Sequence, residues 1–252
     1  MNKIFVSRDR IICDSDRVRI DNNVIELLDS DIYLLEYRDI EDIKLDILVD
    51  NNVKAILFES SFLDNSINVS NKYIIKNGEL KVNKFYDNES VNEEIEIDLL
   101  EEYSKIDYKF SNICKNEESY LININHKNKN TVSNINNKSI TIDGAKLNFV
   151  INSIVGKEHI GSVLDQNTRI VTLGNSDGMI SPNMFIDCDD IEARHGSVIG
   201  TFKDEMVFYL MSRGIEYNDC IKLLVKGYLF SNIDSMNEIR EKILEVIDRY
   251  WR

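Results

Sequence analysis

Between residues 17 and 199 the chain is written in short apolar runs broken by Asn, Asp, Ser and Lys. The runs at 24–28, 32–37, 53–58, 72–75, 120–124, 140–142, 147–151 and 169–173 have strand length and are rich in β-branched residues, which suit a pleated, half-buried surface. Few of the connections hold an amphipathic segment of helical length, and the piece at 99–106 is short and polar. βαβ crossovers therefore do not fit, and the pattern predicts an all-β body. Hairpin sandwiches turn on Gly and Pro, yet this stretch has few glycines and its only proline is Pro182. Asparagine stands in their place. It tolerates the left-handed conformation at sharp corners and forms side-chain ladders when stacked, as a parallel β-helix with superimposed coils requires.

After Gly200 the period changes from two to 3.6. Thr201 and Asp204 form a capping-box-like start for a helix carrying Met206, Val207, Leu210 and Met211, with Gly214 as its stop. A second helix, with Ile221, Leu223, Leu224 and Tyr228 inward, is predicted over about 217–230. A third opens at Ser235 and Glu238 and buries Ile239, Ile243, Val246, Ile247 and Tyr250. The expected architecture is mainly β, with a β-helix core domain over 1–200 and a small C-terminal helical domain over 201–252.

Composition narrows the function. The 252 residues are 43% apolar, enough for a real core, and the formal charge of −14 lacks the basic stripe that nucleic-acid binding needs. No signal-peptide core follows Lys3, and nowhere do about 18 uncharged apolar residues run together. A cytoplasmic protein with neither nucleic acid nor membrane as partner is expected. Cys13, Cys114, Cys188 and Cys220 lie far apart with no C-x-x-C pair, so neither a zinc knuckle nor a disulfide framework is written locally. Cys188 sits among Asp187, Asp189 and Asp190, whose charge should raise its thiol pKa, and it reads as structural. No G-x-x-x-x-G-K-[ST] motif is present, so any ATP dependence must come from a partner.

The sharpest candidate for chemistry is His195, set between two strand-like runs and followed by Gly196. Imidazole is a good neutral ligand for iron or zinc. On residue chemistry alone, an isolated histidine on a strand reads as hydrogen-bonded structure.

The stretch 182–200, with its acidic corner and His195-Gly196, runs straight into a helix at 204–215, and this order of parts resembles the C-terminal half of the SufB/SufD family of iron–sulfur cluster assembly scaffolds. The resemblance continues upstream through His126-x-x-x-Asn130-Thr131-x-Ser133-Asn134, through 143–149, and through 156–162 with Gln166 and Arg169. It covers about 118–230, and the chain looks like a short variant with a reduced N-terminal region. SufB-type sequences carry Glu after the histidine and a cysteine six residues before the proline; here those positions are Gly196 and Ser176. Serine lacks the soft thiolate that holds iron or persulfide sulfur, so the SufD branch is indicated.

The resemblance implies a SufD-like scaffold without turnover of its own. Such a subunit pairs with a SufB-like subunit or a second copy of itself and docks a SufC-like ABC ATPase. It implies that His195 is a candidate iron or cluster ligand at the subunit interface, with a transient rather than stably bound iron–sulfur cluster. It also implies that Phe208, Tyr209, Arg213, Gly214 and Ile215 lie in the ATPase-docking segment, whereas His126 and His159 belong to rungs and corners. Two other classes stay open at this point: a β-helix carbohydrate-active enzyme using carboxylates such as Asp189 and Asp190, and a metal-free homodimeric interaction module.

Overall fold

The computed structural model describes residues 2–234 and 236–251. The chain enters through four short strands, β1 (Asn2–Ser7), β2 (Arg10–Cys13), β3 (Val18–Asp21) and β4 (Val24–Leu27). It then coils through β5 (Ile32–Tyr37), β6 (Asp42–Val49), β7 (Lys54–Ser61), β8 (Ile67–Ile75), β9 (Glu79–Tyr86), β10 (Val91–Leu99) and β11 (Lys105–Cys114). The coils continue with β12 (Glu117–His126), β13 (Val132–Thr141), β14 (Lys146–Val155), β15 (Ser162–Thr172), β16 (Asp177–Ile186) and β17 (Ile191–Gly200). Successive strands alternate between two sheets, ordered β17-β15-β13-β11-β9-β7-β5-β1-β2 and β16-β14-β12-β10-β8-β6-β4-β3. The result is the expected parallel β-solenoid, of about seven turns.

Period-two patterning selects the inner face of each strand. In β12, Tyr120, Ile122 and Ile124 point inward; in β14 the inward set is Leu147, Phe149 and Ile151. Tyr120 stacks on Phe149 with ring centroids 4.9 Å apart, and Phe110 of β11 meets Tyr120 at 4.7 Å. Burying each such side chain contributes about 1.5–3 kcal/mol.

The asparagine reading holds in both of its parts. Asn22, Asn52, Asn77 and Asn130 occupy corners at positive φ. Asn183 donates to Asn152 at 2.9 Å, and Asn152 donates to Asn123 at 2.8 Å, three rungs in register on β16, β14 and β12.

The interior also holds charge. Lys84 lies wholly buried between Glu59 (2.9 Å) and Glu93 (2.8 Å), and Tyr37, Tyr73 and Tyr86 all donate to Glu59. Burial penalises both carboxylates, but Lys84 and the tyrosine hydroxyls hold Glu59 below its ordinary pKa, while burial and the Glu59 charge hold Glu93 above its own. The two carboxylates are thereby pushed apart in acidity, as expected of like charges sharing one cation.

Helices α1 (Asp204–Ser212), α2 (Tyr217–Phe230) and α3 (Asn237–Tyr250) complete the fold. They lie along the flank of the odd-strand sheet, where Leu34, Phe58, Phe85, Ile113, Ile140 and Val171 form a second core with α2 and α3. The outer face of the even-strand sheet stays polar, with Lys44, Ser70 and Glu94 exposed.

Helix boundaries and faces differ from expectation in two places. The capping residue of α1 is Lys203 rather than Thr201, with no side-chain cap, and the helix starts on Asp204 and Glu205, whose charge suits the positive end of its dipole. Leu223 is exposed, because the stripe on α2 that meets the sheet runs through Ile221, Val225 and Leu229 and lies well round the helix from it. The proposed start of the third helix at Ser235 lies outside the described residues; Met236 precedes α3. Gly214 does end α1. At φ +84° it donates its N–H to Met211 O (2.9 Å), while Ile215 N–H reaches Leu210 O (3.4 Å), a Schellman closure.

Candidate functional site

His195 lies in the middle of β17, the terminal strand of its sheet, in register with Gln166 of β15. Gln166 belongs to the buried inward row with Leu164, Thr168 and Ile170, so Ala193, His195, Ser197 and Ile199 continue that row one rung further. No coil covers them, and His195 is exposed. Beneath it, the Gln166 amide N–H donates to Ser153 Oγ (2.7 Å) and to Asn183 O (3.3 Å), while Gln166 Oε1 is buried without a partner.

The facing strand β16 ends the other sheet in the same way. Its inward row, Gly178, Ile180, Pro182, Met184 and Ile186, continues the buried row of Leu147, Phe149, Ile151, Ser153 and Val155 on β14. The last coil therefore presents the cross-section of the solenoid core to solvent, apolar on one side and carrying His195 on the other. Ile199 is 47% exposed, and Ile186 39%. Beside these side chains run two unpaired ladder edges, each ten residues long. Such an edge is a template for another chain. The inward row was missed in the sequence, although counting by twos from His195 along 191–200 picks it out.

Among the described residues no group of three or more His, Cys, Asp or Glu converges as a metal site. His195 thus offers one ligand on an open face, and further ligands for any metal cargo held there would have to come from across that face.

The second predicted surface is on α1. This helix has no buried residue; Phe208 is 74% exposed and Tyr209 57%. The Arg213 guanidinium sits 5.2 Å above the Tyr209 ring, a cation–π contact that holds both side chains out in one patch. Gly214 and Ile215 belong to the same segment but make the helix stop described above. Behind the patch, a groove of about 350 Å³ is lined by Leu173, Phe202, Val207, Phe208, Met211 and Ile221.

The other sequence candidates occupy structural positions. His126 is buried, with Nδ1 2.8 Å from Thr131 Oγ1 and Nε2 2.9 Å from Ser133 Oγ, and Thr131 continues to Ser162 Oγ at 3.0 Å. The spacing His-x-x-x-Asn-Thr-x-Ser is thereby explained as one imidazole at the end of β12 meeting two hydroxyls at the entry to β13, across the turn from one sheet to the other. Burial pushes His126 down to about 4. Ser176, at the position of the SufB-type cysteine, joins a hydroxyl pair with Thr141 (2.7 Å). All four cysteines are free, and the Cys188 thiol is raised by burial and by its three neighbouring aspartates. Asp189 and Asp190 lie in the bend between β16 and β17, where Asp190 O accepts the Gly161 N–H at 2.7 Å. No helix in the described residues is long and apolar enough to cross a membrane.

The family description "SUF system FeS cluster assembly, SufBD core domain" matches residues 55–228. Over 137 residues the chain is 27% identical to the iron–sulfur cluster assembly protein SufD of Bacillus subtilis (strain 168), covering 52% of this chain and 31% of that protein. It is 26% identical over 86 residues to SufD of Escherichia coli (strain K12), covering 33% and 20%. It is also 28% identical over 106 residues to SufB of Bacillus subtilis, covering 41% and 23%. The chain aligns with less than a third of the length of each of these relatives. With the solenoid coils, the terminal His195 strand and the C-terminal helices all inside or beside the matched span, the chain belongs to the SufBD family of iron–sulfur cluster assembly proteins.

Proposed function

We propose that this chain is a SufD-like scaffold subunit whose open solenoid end pairs with a SufB-like subunit or a second copy of itself, placing His195 at the seam as one ligand for a cluster under assembly. The observation that carries this reading is the uncovered last coil, with its two unpaired ten-residue edges and the exposed inner row of Ile186, His195 and Ile199. Strand-to-strand continuation across such a face would extend both sheets and bury the apolar row. It would also remove His195 from bulk water and bring ligands from the partner to it.

The α1 patch of Phe208, Tyr209 and Arg213 supports docking of a SufC-like ABC ATPase, since large aromatics held beside an arginine are the residue types that dominate binding energy. In this role the chain contributes surfaces and a ligand and turns over no substrate of its own; the cluster passes through as cargo.

The test is co-purification with SufB-like and SufC-like subunits, then anaerobic cluster reconstitution with and without His195→Ala. A stable complex whose cluster yield falls in the variant, with assembly intact, is the expected result. Failure to form a complex with either subunit, together with a homodimer indifferent to the substitution, would leave a metal-free interaction module.

A further inference from the structure

On the outer face of the odd-strand sheet, three strands place Lys138, Arg169 and Val198 in one register row, with Asn136, Asn167 and Gly196 in the row two residues before it. These six residues line a groove of about 290 Å³ between the open strand β17 and helix α2. The two cations are cross-strand neighbours, and among the described residues neither has a carboxylate within ion-pairing distance, in a chain of net charge −14. Like charges opposite one another on a sheet cost stability, so their being placed together needs a reason.

Both are held from behind by α2. Each charge lies 5.6 Å from the Tyr228 ring centroid, the Tyr228 hydroxyl donates to Arg169 O (2.7 Å), and Lys138 Nζ donates to Ser231 Oγ (2.7 Å) at the carboxyl end of the helix. That helix end offsets part of the Lys138 charge. The Arg169 guanidinium donates to no protein group among the described residues, leaving its planar fork free to take two oxygens of one anion. Burial and Arg169 both lower the Lys138 pKa, as expected for two cations lacking a counter-charge.

The floor is kept low at Gly196, where a Cβ would stand 2.7 Å from Asn167 Oδ1. Asn167 is itself fixed by donating its amide to Asp165 Oδ1 at 2.7 Å. The groove has room for more than a bare ion, with the Asn136 amide and the Val198 side chain beyond the charges.

We propose that this groove binds the phosphoryl group of a small phosphorylated molecule of sugar-phosphate size, gripped in two-point fashion by Arg169 and neutralised by Lys138. The groove opens on the outer face of the sheet, whereas His195 belongs to the inward row of the same strand β17, and phosphate binding is testable on the isolated full chain. Calorimetric titration in low-chloride buffer with ribose 5-phosphate and with inorganic phosphate should show saturable binding of one or both. Tighter binding of ribose 5-phosphate would mean that the Asn136–Val198 side of the groove reads the organic part; equal binding would identify the free ion as ligand.

Arg169→Gln and Lys138→Gln should each weaken binding by about tenfold or more, whereas Lys146→Gln, on the other sheet, should leave it unchanged. Arg169→Lys keeps the charge and the stem packing, so it guards against a folding artefact; losing the fork should still weaken binding several-fold. Absence of saturable binding, or binding retained when both cations are replaced, overturns the proposal. It is equally overturned if neither phosphate binds while Arg169→Gln breaks a protein complex, since the cations would then serve a partner's carboxylate.

Discussion

The two ends of the solenoid are finished differently. At the first end β2 folds back antiparallel on β1, and β3 antiparallel on β4, so the outermost strand of each sheet is only four residues long. Those edge strands carry Arg10, Arg19 and Asp21 outward, the short charged edge by which proteins discourage further pairing. At the other end β16 and β17 are ten residues long, parallel to the strands beneath, and show Ile186 and Ile199 to solvent. On the proposed reading, a fold that closes one end with hairpins and leaves the other as bare core would direct pairing to a single face. The interiors differ as well: a Glu59–Lys84–Glu93 ion cluster sits at mid-solenoid, on β7, β9 and β10, and neutral pairs such as His126–Ser133 and Gln166–Ser153 sit toward the open end.

The largest effect expected from that contrast comes from the ion cluster. Lys84→Met strips from two buried carboxylates the only cation paired with them among the described residues and should destabilise the chain by about 3–5 kcal/mol, measured by urea denaturation. If the loss is below about 1 kcal/mol, the middle of the solenoid does not rest on its charges, because breaking a dry pair must cost more than that.

Next in size is an acid response carried by two buried groups of opposite sign. Burial holds the Glu118 carboxyl up at about 7 despite hydrogen bonds from Tyr120 and Asn112, and holds His126 down at about 4. Glu118 favours the fold when protonated, so its contribution is whole below 4.5 and is lost as pH rises through 7. His126 favours the fold when neutral, so its contribution is whole above 6.5 and is lost as pH falls toward 4. Between pH 4.5 and 6.5 the two slopes oppose each other. Glu118→Gln removes one of them, and from pH 6.5 to 4.5 the variant should lose about 2 kcal/mol relative to the parent chain. Parallel stability curves for the two proteins would show that the carboxyl is not held protonated.

Much of this was legible in the sequence because solenoid rungs obey local rules. β-branched runs set the strands and Asn22, Asn52, Asn77 and Asn130 set corners, each through its own backbone preference. What stayed hidden depends on neighbours in space. The hairpin of β3 and β4, turning at Asn22, carries the same residue types as a coil and differs only in where the next strand lies. The start of α1 was misplaced because Lys203 leads it without any capping side chain to mark it. His195 was found by resemblance; its exposure was not, since the inward row is buried along the middle coils and opens to solvent on β16 and β17, the last strand of each sheet.

The pairing face itself should respond to one charge. Ile199→Lys places an ammonium on the exposed inner row and should weaken association with a SufB-like subunit or a second copy by about thirtyfold, the loss of one central apolar anchor. Ile12→Lys, on the edge strand β2 where Ile12 is 41% exposed, alters a similarly exposed isoleucine at the closed end and should leave association unchanged. Equal losses from both variants in analytical ultracentrifugation would mean that the two ends are not distinguished as described.

The smallest effect separates the two histidines. His195 makes no hydrogen bond to the described residues and lies exposed on the last strand, so His195→Ala should shift stability by no more than about 0.5 kcal/mol in the isolated chain. His126→Ala removes the imidazole that both Thr131 and Ser133 meet, leaves buried hydroxyls short of a partner, and should cost about 1 kcal/mol or more. Thermal unfolding of the two variants side by side reads this directly. A residue that the fold does not need for stability, kept on the one face left uncovered, is free to serve what binds there; a His195 variant that unfolds like the His126 variant would return it to the structural rungs.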